Sequence, residues 1–326
     1  MTRAGNVIAN VSSIYSKCAT CSELVLEKTK KIDLTEFNFS GLKCAECGKR
    51  PLDAVAAHIL SLSIQNQHKS DLVLREIGTP LLCPGVSTYH RPHLGDRTLI
   101  LLTNRSRVAD AADRVLDEVR EVKAILYGDP TKVAGLTIVE AEPYVYQVLA
   151  GCDMRADLVT SAYGQLLIYK SQSKIHIEHD NRTKMLKLGT IPLANRVVFD
   201  ALAGPGTLGL MSVFMGAEKV ILNDAWLPAV ENAFLNLYVN KEVLGIRSIK
   251  RTSMTEASHD SPELFCTART SDTDIELYCG RFEKFDVQDS KVDVVLLDPF
   301  PGSEIRFESA AKRIRNQNRQ MHVVYI

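Results

Sequence analysis

No stretch of the 326 residues comes near the ~18 consecutive apolar residues that a membrane-spanning helix needs. The opening segment MTRAGNVIANVSSIYSKC lacks a sustained apolar run followed by a cleavage site, which argues against a secretory leader and gives the expectation of a cytoplasmic protein. Neither sign of charge is in excess: 39 Lys and Arg balance 39 Asp and Glu. A global basic field of the kind that marks many nucleic-acid binders is therefore excluded, and any contact with a polyanion has to come from a local patch. Internal repeats and low-complexity segments are also missing. What remains, 45% hydrophobic and 24% charged residues, is the composition of an ordinary folded chain long enough for two domains.

Four of the eight cysteines pair off as Cys18-x2-Cys21 and Cys44-x2-Cys47. Two such knuckles can close a tetrahedral four-thiolate site, which points to a structural zinc ion; an iron–sulfur cluster or redox pairs are the alternatives. Such a site has no open coordination position, so the metal is expected to serve folding. Cys83, Cys152, Cys266 and Cys279 lie scattered in apolar or strand-like surroundings and read as small buried hydrophobes. His58, His68, His90 and His93 are possible ligands in principle and are not assigned.

The chain divides by pattern into a zinc-ribbon-like module (1–50), a helical linker (51–95), a small α/β region with a hairpin (96–190) and an α/β domain (191–326). In the linker AVAAHILSLSIQ is helix-periodic, and TPLLCPGVSTYHRPHLGD is a Pro/Gly-rich boundary. The third segment reads as strand TLILLTN, a helix carrying Val108, Ala112, Val115, Val119, Val122 and Leu126 at helical spacing, strand GLTIVEAE, and a hairpin of QLLIYK and KIHIEH around SQS. From 196 onward apolar strands alternate with helices: VVFDAL, GLMSVFMG, KVILND, PAVENAFLNLYVNKEV, a polar insertion, IELYCG, KVDVVLLD, RFESAAKRIR and MHVVYI. That alternation implies a parallel sheet covered on both faces.

Ligands of such sheets bind beyond the carboxyl ends of the strands. The first strand of the domain ends in Asp200 and the small-residue run to Gly204, Gly206 and Gly209, where the backbone can approach a ligand. The run alone fits a cofactor loop or plain strand-to-helix packing. Asp224, at the end of the second strand, can accept two hydrogen bonds from a ribose diol, or merely cap the next helix. Trp226, the single tryptophan, offers a face to adenine or fills the core. After the third strand come Arg281 and Phe282, which either contact an adenine edge or, for Phe282, pack under the sheet. The fourth strand closes on Asp298-Pro299-Phe300: a carboxylate, a rigid carbonyl and a ring that together suit a planar amine, whose N–H groups need acceptors and whose ring needs a stacking surface.

With these motifs in order, the stretch from Arg196 to Asn240 followed by VVLLDPFPG resembles the class I S-adenosylmethionine (SAM) dependent methyltransferases. It is most similar to the tRNA guanine N2-dimethyltransferases, sharing Asn223-Asp224, the Glu231-Asn232, Asn236 and Asn240 pattern and Asp298-Pro299-Phe300. The resemblance covers about 130 residues. It implies a Rossmann-like sheet, SAM contacts at Asp200, Gly204, Gly206 and Asp224, an amine handled by Asp298, and tRNA or another RNA as substrate. Pro301 stands where those dimethyltransferases have glycine. The chain ends on its fifth strand, MHVVYI, where the class I fold continues with two more. The resulting open edge is expected to be covered by the hairpin at 165–179 or by a partner, or else to mark a truncated form of the chain.

Basic runs at Lys43, Lys49 and Arg50, at Asn181-Arg182-Thr183-Lys184 and from Lys312 to Arg319 are candidate grips for a phosphate backbone, or solvated faces. The function that follows is SAM-dependent N-methylation of RNA. The alternatives are methylation of a small molecule or protein, and a non-catalytic zinc-ribbon RNA-binding protein with a degenerate methyltransferase half.

Overall fold

The computed structural model describes residues 3–64, 72–136, 143–178, 181–252, 261–300, 304–317 and 321–326. The chain forms two compact units: Ala9–Asp157 with Gln172–Lys174, and Met1–Ile8 with Leu158–Ser171 and Ile175–Ile326. Helix α1 (Ala4–Ile14) opens the chain.

In the first unit the cysteine knuckles are followed by α2 (Leu52–Leu62). Two-residue pairings, β1 (Lys31–Ile32) with β3 (Leu72–Val73) and β2 (Arg50–Pro51) with β5 (His93–Leu94), bracket that helix. A four-stranded sheet has the order β4 (Thr79–Leu82), β6 (Leu99–Thr103), β7 (Val122–Tyr127), β8 (Gln147–Gly151). One core, including Val55, Ile59 and Leu60 of α2, Leu99 and Leu101 of β6 and Val115, joins the expected linker to the α/β region. The Pro/Gly-rich segment is consequently no boundary, since Thr79–Leu82 pairs antiparallel with β6 as an edge strand. An edge is where a strand tolerates Pro80.

The helix expected over 106–126 is shorter. It divides into α3 (Ser106–Asp110) and α4 (Ala112–Glu118), and Val122 and Leu126 belong to β7, parallel to β6. Val119 leaves helical geometry at ψ 86. The following run is rich in β-branched and apolar residues that are buried against β6, so sheet pairing overrides the helical spacing. The expected strand at GLTIVEAE lies largely outside the described residues.

The hairpin also forms one segment earlier than the pattern indicated. β9 (Met154–Thr160) pairs with β10 (Gln165–Ser171), and the described part of KIHIEH is not a strand. The Ser161–Gly164 turn closes it, with the Ser161 amide donating to the Gly164 carbonyl at 2.9 Å.

The second unit is built on a seven-stranded sheet in the order β13 (Ser248–Arg251), β14 (Glu263–Arg269), β15 (Asp274–Cys279), β12 (Lys219–Asp224), β11 (Val197–Asp200), β16 (Val294–Leu297), β17 (His322–Tyr325). The five strands from β15 to β17 are parallel, and β13 and β14 add an antiparallel hairpin at one edge. That hairpin occupies the expected polar insertion, so strand and helix do not alternate strictly. Side chains alternate between two cores. Val198, Val220, Leu222 and Leu296 meet α6 (Thr207–Phe214) and α7 (Leu227–Val239), while Phe199, Ile221, Val295 and Leu297 meet α8 (Glu304–Gln317). The chain lays down β11, β12 and β15 in one direction and then crosses to β16 and β17. The switch point therefore lies between β11 and β16, where a ligand crevice is expected.

Strand β10 does not cover β17. It packs on α7 instead, where Asn232, Asn236 and Asn240 form a ladder. Their side-chain oxygens accept from the amides of Ser171 (2.7 Å), Tyr169 (2.7 Å) and Leu167 (3.0 Å). Asn236 and Asn240 also donate to the carbonyls of Tyr169 and Leu167. Four helical residues rise about 6 Å and two strand residues about 6.7 Å, so amides spaced i, i+4, i+8 on a helix stay in step with every second strand residue. The helix thus supplies the hydrogen bonds a neighbouring strand would make.

Candidate cofactor and amine site

The ends of β12, β11 and β16 bring Asp224, Asp200 and Asp298 to one end of the sheet on adjacent strands. Asp200 is fully buried and accepts from the Gly209 amide at 2.9 Å. Its other oxygen has no partner among the described residues. Burial pushes this carboxyl up to about 8. It supports the loop from beneath, inside the first turn of α6. Gly209 is required by closeness: a Cβ there would lie 2.1 Å from Leu222 Cδ2 and 3.2 Å from Asp200 Oδ2.

Gly204 (φ 53°) and Gly206 (φ 89°) turn the loop through left-handed backbone. Three contacts hold the loop: the Gly204 amide on Asp224 (2.8 Å), the Ala203 amide on the Asn223 carbonyl (2.9 Å), and Asn236 Nδ2 on the Pro205 carbonyl (2.9 Å). The amides of Thr207 and Leu208, in the first helical turn, have no intrahelical acceptor and are available to a ligand.

Asp224 holds the turn into the next helix, one of the two roles that the sequence left open. One oxygen accepts from Gly204, the other from the Trp226 amide at 2.8 Å, so it fixes the turn into α7. The carboxylate retains acceptor capacity beyond these two bonds. Burial raises its pKa. Beside it Asn223 donates to the carbonyls of Ala201 (3.3 Å) and Gly280 (3.0 Å). Asn223 Oδ1 and Trp226 Nε1 are buried with no partner among the described residues. Unsatisfied polar atoms gathered at one strand end are what a site awaiting a polar ligand leaves behind.

Phe282 is not at this surface. It is 2% exposed and sits in the α8-side core, its ring 5.7 Å from Phe307. Arg281 is exposed. Asp298 follows β16, and its Oδ2 takes a 2.7 Å hydrogen bond from Lys184 of α5 (Arg182–Leu188). Lys184 also bonds Glu178 at 2.9 Å. Pro299 and Phe300 are half-buried, and the Phe300 ring meets His176 edge to face at 5.6 Å. The sequence placed Lys184 only in a basic run and gave no sign that it, Glu178 or His176 belongs beside Asp298, because 114 residues separate Lys184 from Asp298.

In the first unit the sulfurs of Cys18, Cys21, Cys44 and Cys47 lie within 4.8 Å of one another. Cys18–Cys21, Cys18–Cys44 and Cys21–Cys47 are 3.6, 3.5 and 3.3 Å apart. Four thiolates about 2.3 Å from a central zinc stand ~3.8 Å apart, so donor set and spacing suit a closed tetrahedral ion. The second knuckle is made by Gly48 (φ 72°), whose amide donates to the Cys44 carbonyl at 2.9 Å.

Two of the basic runs are largely engaged internally. Arg50, 5% exposed, makes a bidentate pair with Glu121, Lys49 donates to the carbonyls of Ser13 and Ser16, and Lys43 lies 3.7 Å from Asp96. Lys184 is taken by carboxylates. On α8, Lys312, Arg313 and Arg315 are exposed. Among the described residues no helix is long and apolar enough to cross a membrane.

No family model and no curated protein matches the chain. Among solved structures it is similar to Trm5b from Pyrococcus abyssi, at 14% identity and TM-score 0.40 over 66% of this chain and 53% of that one. It is also similar to TYW2 from P. horikoshii in complex with MeSAdo, at 16% identity and TM-score 0.45 over 78% and 73%. A third is Trm1 from Pyrococcus horikoshii with S-adenosyl-L-methionine, at 20% and 0.34 over 47% and 38%. The chain thus spans about half the length of the first of these and less of the third. Likeness at this level leaves the activity to be argued from the chain's own residues.

Proposed function

We propose that the second unit binds SAM and transfers its methyl group to a ring or exocyclic nitrogen of an RNA, tRNA being the leading candidate. The observation that carries this reading is the alignment of Asp224, Asp200 and Asp298 on the ends of three adjacent parallel strands around a glycine loop. SAM, when bound, supplies an electrophilic methyl group. The chain's residues do the positioning. Asp224 accepts from the ribose diol, the loop at Gly204 and Gly206 lets the backbone approach, and Asp200 holds that loop through Gly209. Asp298 and the Pro299 carbonyl accept the N–H groups of the amine, and Phe300, steadied by His176, presents a ring to a planar base. The amine proton released after transfer passes to the Asp298 carboxylate and from there to solvent.

Phe282 is left out of the cofactor contacts because its ring is in the core; exposed Arg281 remains a candidate. The four cysteines hold a structural zinc ion, and exposed Lys312, Arg313 and Arg315 on α8 are the cations available to a phosphate backbone. We place the protein in the cytoplasm, where such an RNA is accessible. A calorimetric SAM titration tests the assignment. The wild type should bind, and Asp224→Ala should weaken binding at least tenfold, about 1.4 kcal/mol for the lost diol contacts. Unchanged affinity in the variant removes Asp224 from the site.

A further inference from the structure

We infer that Lys184 is the positioning residue of the amine site: it keeps Asp298 ionised and turned so that one carboxylate oxygen faces the substrate nitrogen. The inference rests on the proposed amine-handling role of Asp298. Lys184 donates to Asp298 Oδ2 at 2.7 Å, and Oδ1 has no protein partner among the described residues. One oxygen is therefore fixed and the other is left to accept an N–H. The pair is well shielded, with side-chain exposures of 27% for Lys184 and 20% for Asp298. A carboxylate in that position costs desolvation energy, and without a counter-charge it takes up a proton and ceases to be an acceptor.

The surrounding charges explain why a lysine is needed. Burial pushes the Asp298 carboxyl upward, and the charge and hydrogen bond of Lys184 pull it back. Glu178, bonded to the same ammonium at 2.9 Å, adds negative charge, and Asp200 is coupled electrostatically to both Asp298 and Lys184. Burial works against the Lys184 charge too, yet Asp298 and Glu178 outweigh it and its pKa rises. Two carboxylates thus share one ammonium, which makes the ionisation of Asp298 depend on Lys184. Helix α5 presents that ammonium, and its buried Met185 and Leu188 anchor the helix to the unit's core.

The test is a direct titration of Asp298 in the full chain. Protein carrying 13C-labelled aspartate carboxyls is followed by carbon-detected NMR, with the resonance assigned by its loss in Asp298→Asn. Removing the ammonium in Lys184→Met should raise the Asp298 midpoint by about one pH unit or more, a tenfold gain in proton affinity, and Lys184→Arg should restore most of the difference. Should Lys184→Met not fold, the reciprocal measurement serves: Asp298→Asn should lower the Lys184 midpoint in an otherwise native chain. An Asp298 midpoint that is the same in wild type and Lys184→Met, or a Lys184 midpoint unmoved by Asp298→Asn, overturns the inference. A wild type that fails to bind SAM would sink the proposed function and leave this coupling standing, so the two failures are distinguishable.

Discussion

Replacing Asn236 by alanine removes the central rung of the ladder between α7 and β10. The side chain is fully buried; it accepts from the Tyr169 amide at 2.7 Å and donates to the carbonyls of Tyr169 and Pro205 at 2.8 and 2.9 Å. The Pro205 carbonyl lies in a partly exposed loop and can turn to water. Both Tyr169 backbone groups are enclosed, and each buried group left unpaired costs about 1–3 kcal/mol. The sum centres on about 4 kcal/mol, which for a unit of this size lowers its Tm by roughly 8–16 °C. Scanning calorimetry reads the shift, and hydrogen exchange at the Tyr169 amide reports whether the loss is local. Glu231→Ala, at an exposed position of the same helix, is the control and should stay within about 0.5 kcal/mol of wild type. A melt of Asn236→Ala within about 1 °C of wild type, with the Tyr169 amide still protected, would refute the claim that the helix substitutes for a strand.

Two further outcomes follow from the charges and thiols. Asp200, raised to about 8 by burial from an unfolded value near 3.9, binds more proton in the folded state than in the unfolded state between those limits. Its contribution to stability is therefore present at acid pH and lost as pH rises towards 8. Asp224 and Asp298 are shifted in the same direction. Denaturant midpoints measured from pH 4 to 8 should fall less steeply in Asp200→Asn, and an unchanged slope would contradict the assignment. The four-cysteine cluster should release about one equivalent of zinc on thiol modification, with loss of structure in the first unit. Full retention of its circular dichroism after metal removal would show that the ion does not serve folding.

Much of the second unit was legible because its signals are local. Apolar runs of four to six residues became β11, β12, β15 and β16, and each ended where Asp200, Asp224, Cys279 and Asp298 indicated. The cysteine spacing carried its own geometry in the same way. Errors arose where long-range pairing decided the outcome. Val122 and Leu126 obey helical spacing, yet a place beside β6 made them strand. QLLIYK chose β9 over KIHIEH because three asparagines on α7 satisfy its other edge. The basic character of Lys49, Arg50 and Lys184 was visible, but their partners, Ser13 and Ser16, Glu121, and Glu178 and Asp298, were not. Phe282 stands at a strand end in sequence, and only the tertiary core shows its ring turned towards α8.

The central claim is that SAM bound at the Asp200, Asp224 and Asp298 strand ends donates a methyl group to an RNA nitrogen. Its most direct test is the fate of a radiolabelled methyl group when the 326-residue chain is incubated with labelled SAM and a cell extract then fractionated into RNA, protein and small molecules. The account predicts label in RNA, carried on nitrogen after digestion to nucleosides, and none with Asp298→Ala, a variant that still binds SAM. Label confined to protein or small molecules, or transfer that survives Asp298→Ala undiminished, would contradict it.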